Sequence, residues 1–502
     1  MRGLFCTFVL AACSTTFSPK PCSVDGDCGA GLVCEQRDNQ PVCVHVENAP
    51  LVIGTSAPLT GTNQALGTGM KLGLQLAFDA QNAAGGIRGR QIVMDFRDDG
   101  YDPLLAEMNA RALVDVNILQ TPPICPSTTT PEPDGHGNTV PVSTTGLQRG
   151  PNAVLALVGN VGTPTMVRAA PVTVETNTLY FGAFTGAGTI LRDTTCGNCV
   201  KYIFNVRASY KQEANATMQL FMHYGISNYT NLMSFDQNDT FGQAGYNGLV
   251  AAYTTLIGAF PGNADPTNPI ARFRYTRNDD TSVPAQAVAA EAYLANLLTT
   301  QTGTVTVGVM MTDTYGAGST FIQALRNWQF SSGSQQTSLQ MATRLKLYFS
   351  NVSFVGPNAL AGYLVQAGTV ATPNGPMAYT QDVTVSQVVP NYQSDTSDVV
   401  TAYNRLIAQN GATPGFTSLE AYVDGVVFIA GLLNHQGPFT PDGLVTSLES
   451  LPDLSLGIGA TSGYSPTNHQ YSNSVWGTQI QADGTFKNLY YWIDGSPIQF
   501  YQ

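Results

Sequence analysis

Apolar residues in this chain fall into two kinds of short block, and the kinds alternate. Leu51-Val52-Ile53-Gly54 is an unbroken apolar run of the length of a buried strand. After a Gly/Thr-rich turn, Met70, Leu74, Ala77 and Phe78 recur with the helical period, although Leu72 and Leu76 also fit strand alternation. The length of the segment and its lack of proline favour a helix, with Gly73 costing about 1 kcal/mol against alanine. Gly85-Gly86 closes it. Gln91 to Phe96 is the next strand, and Leu104 to Val116 the next helix, with Leu105, Met108 and Leu113 expected to face inward. Strand, helix, strand in this order is the opening unit of an α/β sheet, whose ligands bind at the carboxyl ends of the strands.

The alternation continues. Thr121 to Pro151 is Pro/Thr/Gly-rich, lacks periodicity and reads as a surface insertion. Ala153 to Val158 is a strand, followed by Gly159-Asn160-Val161-Gly162-Thr163-Pro164-Thr165, where Thr163 is placed to cap a helix and Pro164 suits its first turn. Leu179 to Phe184 is a strand, and Tyr202 to Val206 extends towards a second lobe. The pattern then restarts with a helix over Tyr210–Tyr224, a strand over Thr230–Phe235 and a helix over Gly242–Leu256. Asn263 to Ser282 is polar and reads as loop. Ala285–Leu298 (helix), Val305–Met311 (strand) and Gly318–Trp328 (helix) complete the block. A third portion, from about Val352, carries one more strand and the helix Ser418–Leu433, and the tail from Tyr471 reads as short strands and turns. The expected fold class is α/β, with two doubly wound lobes joined by several crossings.

Composition narrows the partners. The chain has 502 residues, 43% hydrophobic but only 11% charged, with a net charge of −12. An acidic chain without a basic stripe argues against nucleic-acid binding. No run of about 18 apolar residues is present. The N-terminus has Arg2, a short apolar run from Leu4 to Leu10, and then Leu10-Ala11-Ala12-Cys13, which matches a bacterial lipobox. Residues 1–13 are therefore expected to be a lipoprotein signal, with Cys13 acylated and the protein lipid-anchored in the periplasm or at the cell surface. The alternative is ordinary secretion, with Cys13 a bystander.

Cys22, Cys28, Cys34 and Cys43 crowd a Gly/Asp-rich stretch too short for a hydrophobic core. In an oxidising compartment they imply a two-disulfide module over residues 14–49, with three possible connectivities, serving as a spacer. The wide spacings and the lack of CxxC argue against zinc, and no metal is expected. Cys125, Cys196 and Cys199 remain; one pair is expected to form a structural disulfide, because Cys196-Gly-Asn-Cys199 lacks the helix start that would stabilise a thiolate.

The segments IGTSAPLTG, AFDAQNAAGGIRGRQIVMDFRDDGYDP, FGAFTGAGTILR, FNVRASYKQE, FDQNDTFGQAG and SPTNHQ, in this order and spacing, resemble type I periplasmic binding proteins of the leucine/isoleucine/valine-binding family. The resemblance implies two lobes closing on a ligand, with crossings near Val206, Val352 and Ser465: residues 50–206 and 353–465 in lobe 1, and 207–352 and 466–502 in lobe 2. It implies that Gly162 and Thr163 meet a ligand carboxylate, and that Thr185 and Gly186 contribute at the next strand end. Phe241 stands where leucine-type members carry a cleft tyrosine. Asp313 is implied as the partner of an ammonium, and Tyr315 as a cover. Arg207 lies at the first crossing, either pinning the lobes or pairing with an anionic ligand. Ser56, Thr60 and Gln64 are placed to reach the cleft, and Asp236 to close a loop. The implied partners are an amino acid-like or amide-like small molecule and the membrane subunits of an ABC transporter. A sensor of the same fold without transport is the rival. The five histidines show no metal spacing, and neither a GxSxG elbow nor a phosphate loop occurs. No cofactor and no catalytic residue is expected.

Overall fold

The computed structural model describes residues 20–37, 40–46, 49–118, 132–133, 139–140, 147–188, 201–330, 343–461 and 463–501. Cys13, Cys125, Cys196 and Cys199, and most of the Thr121–Pro151 insertion, lie outside them.

A small hairpin of β1 (Leu32–Arg37) and β2 (Gln40–His45) precedes two main sheets. In the first sheet, β3 (Leu51–Ala57) is flanked by β4 (Ile92–Asp98) and β5 (Ala156–Val158), and β6 (Leu179–Phe181) and β7 (Ile203–Phe204) follow β5, all parallel. Parallel strands need covered faces. The cover comes from α1 (Gln64–Ala83), α2 (Pro103–Leu113), α3 (Thr163–Glu175) and, from late in the chain, α10 (Phe416–Asn434). Gly73, which costs helix propensity, has its reason here: a Cβ at this position would stand 2.1 Å from the Ser418 carbonyl oxygen, so glycine lets α1 and α10 pack backbone to backbone. The apolar length of α10 is likewise a matter of burial, since most of it lies inside the protein.

The second sheet comprises β8 (Leu232–Gln237), β9 (Ala271–Tyr275), β10 (Val305–Thr312), β11 (Leu345–Asn351), β14 (Val383–Gln387), β15 (Ser474–Ile480), β16 (Phe486–Ile493) and β17 (Gln499–Phe500). Their spatial order is β9-β8-β10-β11-β14-β15-β16-β17. The first five are parallel, and the tail adds the last three antiparallel. Helices α4 (Tyr210–His223), α5 (Thr240–Leu256), α6 (Val283–Thr300), α7 (Tyr315–Gln329) and α8 (Pro357–Ala367) belong to this lobe. A short hairpin, β12 (Thr369–Thr372) with β13 (Gly375–Ala378), follows α8.

Three expectations are corrected. On α2, Leu105 and Met108 face solvent, at 45% and 62% exposure, and the buried face is Ala106, Ala110 and Leu113; the small residues allow close packing on α3. The polar stretch 263–282 contains β9, an edge strand whose Arg272 meets the buried Asp236 at 2.7 Å. The chain also does not return to the first lobe at Val352. Strand β14 pairs parallel with β11 and antiparallel with β15, filling the gap between them, so the second crossing lies after Gln387, before α9 (Asp398–Gln409). The first and last crossings run side by side: Asn205 bridges Gln470, and the Ser472 amide donates to the Val206 carbonyl at 2.7 Å.

The N-terminal hairpin is stapled by disulfides Cys22–Cys34 and Cys28–Cys43. It is docked on the first lobe. Arg90, 2% exposed, donates to the Ala49 carbonyl and pairs with Glu35 at 2.6 Å; Arg88 pairs with Asp25 at 2.8 Å. Both guanidiniums lie over the Phe439 ring, at 4.3 Å for Arg88 and 5.2 Å for Arg90. An arginine this deeply buried depends on its partners. Arg90→Ala is expected to lower the unfolding free energy by about 2–3 kcal/mol, just under the range for a fully buried broken pair because Glu35 stays partly wet. It should also speed limited proteolysis after Val46; an unchanged digestion time course would show that the module is not held by this contact.

Candidate functional site

The strand ends of the first sheet face the second lobe. The chain leaves β5 through Gly159–Gly162 and enters α3 at Thr163. Gly162 has φ 101°, and a Cβ there would stand 2.3 Å from the Tyr101 ring, so both backbone and space require glycine. Gly162 itself is the N-cap, without a side-chain cap bond, so Thr163 is not the cap that the sequence pattern implies. Its hydroxyl meets that of Thr185 at 2.6 Å instead, and Thr185 Oγ1 also accepts from the Ala187 amide at 3.2 Å. Both threonines are buried. Val161 bridges Phe184 in parallel, continuing the β5–β6 register and setting the two threonines face to face. The Thr163 and Thr165 amides head α3, where no preceding helical carbonyl exists to accept them. The Thr165 hydroxyl bonds back to the Val161 and Gly162 carbonyls, the latter at 3.0 Å. The arrangement offers two hydroxyls and the positive end of a helix dipole, a chemistry suited to a carboxylate or carbonyl oxygen.

Gly186 serves lobe packing. Its carbonyl accepts the Tyr210 amide at 2.7 Å, and a Cβ would meet the Tyr210 ring at 2.6 Å. Arg207, 2% exposed, is engaged on all sides. It pairs with Glu213 at 2.7 Å and Glu420 at 3.0 Å, donates to the Ser353 hydroxyl, and lies over the Phe184 and Tyr210 rings. Burial alone would lower its pKa; Glu420 and Glu213 more than offset that and raise it. Of its two expected roles, these contacts are those of a pin between lobes.

Across the interface, Phe241 begins α5, where Asp239 accepts its amide at 3.0 Å, and it is fully buried. The Tyr315 hydroxyl reaches the first lobe, donating to the Thr62 carbonyl and accepting the Ala65 amide at 3.4 Å. Asn63 and Asn278 meet at 2.8 Å beside it. Tyr315 thus spans the interface as a latch between lobes. Asp313 is fully buried, and neither carboxylate oxygen has a hydrogen-bond partner among the described residues. Burial, with Asp280 nearby, pushes its carboxyl well above the ordinary range.

Ser56 and Thr60 are bound to the acidic turn. Ser56 Oγ donates to Asp99 at 2.8 Å, and Thr60 Oγ1 to Asp98 at 2.5 Å. Gln64 opens α1. Asp236 lies at the end of β8, as its place in the sequence implies, and its carboxylate accepts from Arg272 at 2.8 Å. No local pattern announces Tyr101, Asp99, Ser353 or Phe354 as site residues, because each also needs contacts distant in the chain to take its place. Asn278 is a further residue that sequence reasoning misses, although its turn carries a hint, since asparagine tolerates its φ of 57°.

Asp99 orders the acidic turn by accepting from Ser56 Oγ and the Tyr101 amide, and burial raises its pKa to about 7. A folded-state pKa above the unfolded value means that the native state binds the extra proton. The contribution to stability is therefore full below about pH 4, the unfolded value, and is lost as pH rises to about 7. Asp99→Asn is expected to shrink the loss of unfolding free energy between about pH 5 and about pH 8 by about 1–2 kcal/mol in denaturant titrations. An equal loss in both proteins would remove Asp99 from this role.

A family model described as periplasmic binding protein matches residues 50–121 and 136–485. A solved structure of a possible leucine/isoleucine/valine-binding protein from Rhodopirellula baltica is 27% identical, covers 89% of this chain and 98% of its own, and superposes with a TM-score of 0.65. A branched-chain amino acid ABC transporter protein from Thermus thermophilus with bound valine shares the fold at 10% identity and TM-score 0.60, over 88% of this chain and 95% of its own. A Leu/Ile/Val-binding protein homolog from Brucella abortus is 42% identical over 55 residues, 11% of this chain and 15% of the relative's length.

Proposed function

The chain belongs to the periplasmic binding protein family, and we propose that it is an extracytoplasmic solute-binding lipoprotein, anchored through Cys13, that passes its ligand to an ABC transporter and catalyses no reaction. The ligand is a small zwitterion or amide. Its carboxylate or carbonyl oxygen docks on Thr163 and Thr185, and its ammonium or amide nitrogen meets Asp313. The hydroxyl pair at the head of α3, facing the second lobe, is the observation that carries this reading. Arg207 has no charge left for an anionic ligand, which favours a net-neutral solute.

Capture is by closure. The solute first meets one lobe, and the other then swings over it, with the Tyr315–Thr62 and Asn63–Asn278 contacts holding the closed form. The ligand stabilises that form only by its differential affinity for it. Asp313 supplies part of the difference: its two unpartnered carboxylate oxygens gain charge-assisted hydrogen bonds from an ammonium placed beside them.

Thermal shift and calorimetry against amino acids, short amides and urea test the reading. At least one class is expected to raise the melting temperature, and Thr185→Val should weaken its binding at least tenfold. No stabilisation by any member would end the proposal.

A further inference from the structure

Phe354 stands between the lobes. It lies in a short helical turn, Ser353–Val355, just after β11, and is fully buried. Three rings surround it: Phe241 at 4.6 Å, Phe184 at 5.1 Å and Tyr101 at 5.9 Å between centroids. These are contact distances for aromatic pairs. Two of the three neighbours adjoin the hydroxyl pair directly. Phe184 precedes Thr185 in the chain, and Tyr101 packs on Gly162, which precedes Thr163. Phe354 is thus packed against a neighbour of each of the two threonines.

The ring is held there. The Ser353 amide donates to Glu213 Oε2 at 2.7 Å and its hydroxyl to Glu213 Oε1 at 3.1 Å, while Arg207 bonds the same hydroxyl. The Val352 amide bonds the Met311 carbonyl at 3.1 Å, and the Val355 amide the Val352 carbonyl at 3.0 Å. The start of the turn is thus fastened to buried groups, and shifting its backbone would disturb the Ser353–Glu213–Arg207 contacts.

We propose that Phe354 sets a size limit on the ligand, restricting it to a solute with a side chain no larger than about that of alanine or serine and rejecting branched or aromatic amino acids. This rests on the solute-binding reading and names the substrate class of the same site. One excess methylene against a filled apolar wall costs about 10-fold or more in discrimination.

Calorimetric titration of the chain with glycine, L-alanine, L-leucine and L-phenylalanine tests it, beside Phe354→Ala and the milder Phe354→Leu, each first checked for a cooperative melt. The wild type is expected to bind glycine or alanine at least tenfold tighter than leucine. Phe354→Ala should narrow that ratio at least tenfold, and Phe354→Leu should narrow it less. If Phe354→Ala does not fold, Phe354→Leu alone decides, through the same ratio. Wild-type preference for leucine, or a ratio unchanged within twofold in the folded variants, overturns the size limit and leaves solute binding standing. No binding by any of the proteins to this panel, to amides or to urea overturns both.

Discussion

The architecture depends on one buried cation. Arg207 sits where the chain first passes from lobe to lobe, with Glu420 of α10 on one side and Glu213 of α4 on the other. Taking three charges out of water is costly, and only tight mutual geometry offsets the cost. The geometry is supplied by neighbours that accept or donate in turn: Ser353 and Ser386 both bond Glu213, the latter at 2.6 Å. For Asp424, one turn beyond Glu420 on α10, burial and the adjacent Glu420 carboxylate push the pKa well up. The hub therefore fixes how the two sheets meet, and the Thr163–Thr185 pair is presented at the interface it defines.

Around that hub the interface divides by chemistry. The first lobe brings hydroxyls and the head of α3; the second brings a buried acid, Asp313, and the covering Tyr315. Between them lies an aromatic cluster of Tyr101, Phe184, Phe241 and Phe354, whose members come from four separate stretches of chain. Polar groups in such a setting act strongly because little water competes with them.

Much of this is legible in the residues, and the limits have physical causes. Runs such as Val305 to Met311 and the helical spacing of Met70, Leu74 and Phe78 mark elements whose burial is set locally. The buried face of α2 escapes the pattern because leucine and methionine are the usual inward residues, whereas here close approach to α3 selects alanines. Strand β9 is hidden by its arginines, which make sense only beside Asp236. The place of Val383–Gln387 in the second sheet is a matter of pairing partners, which no local pattern encodes. Thr163 can be read from a Gly-Thr-Pro turn after a strand, and Thr185 only through the resemblance; Phe354 cannot be read, since nothing about a phenylalanine after a strand foretells three rings from elsewhere. Arg207 is visible as a candidate, but its role depends on Glu420, 213 residues away.

The clamp of Arg88 and Arg90 on the disulfide hairpin carries a mechanical consequence. Among the described residues these contacts bolt the hairpin to the first half, which makes that half the stator and the other half the rotor. A hinge stroke is then motion of the second half against a base that carries the hairpin.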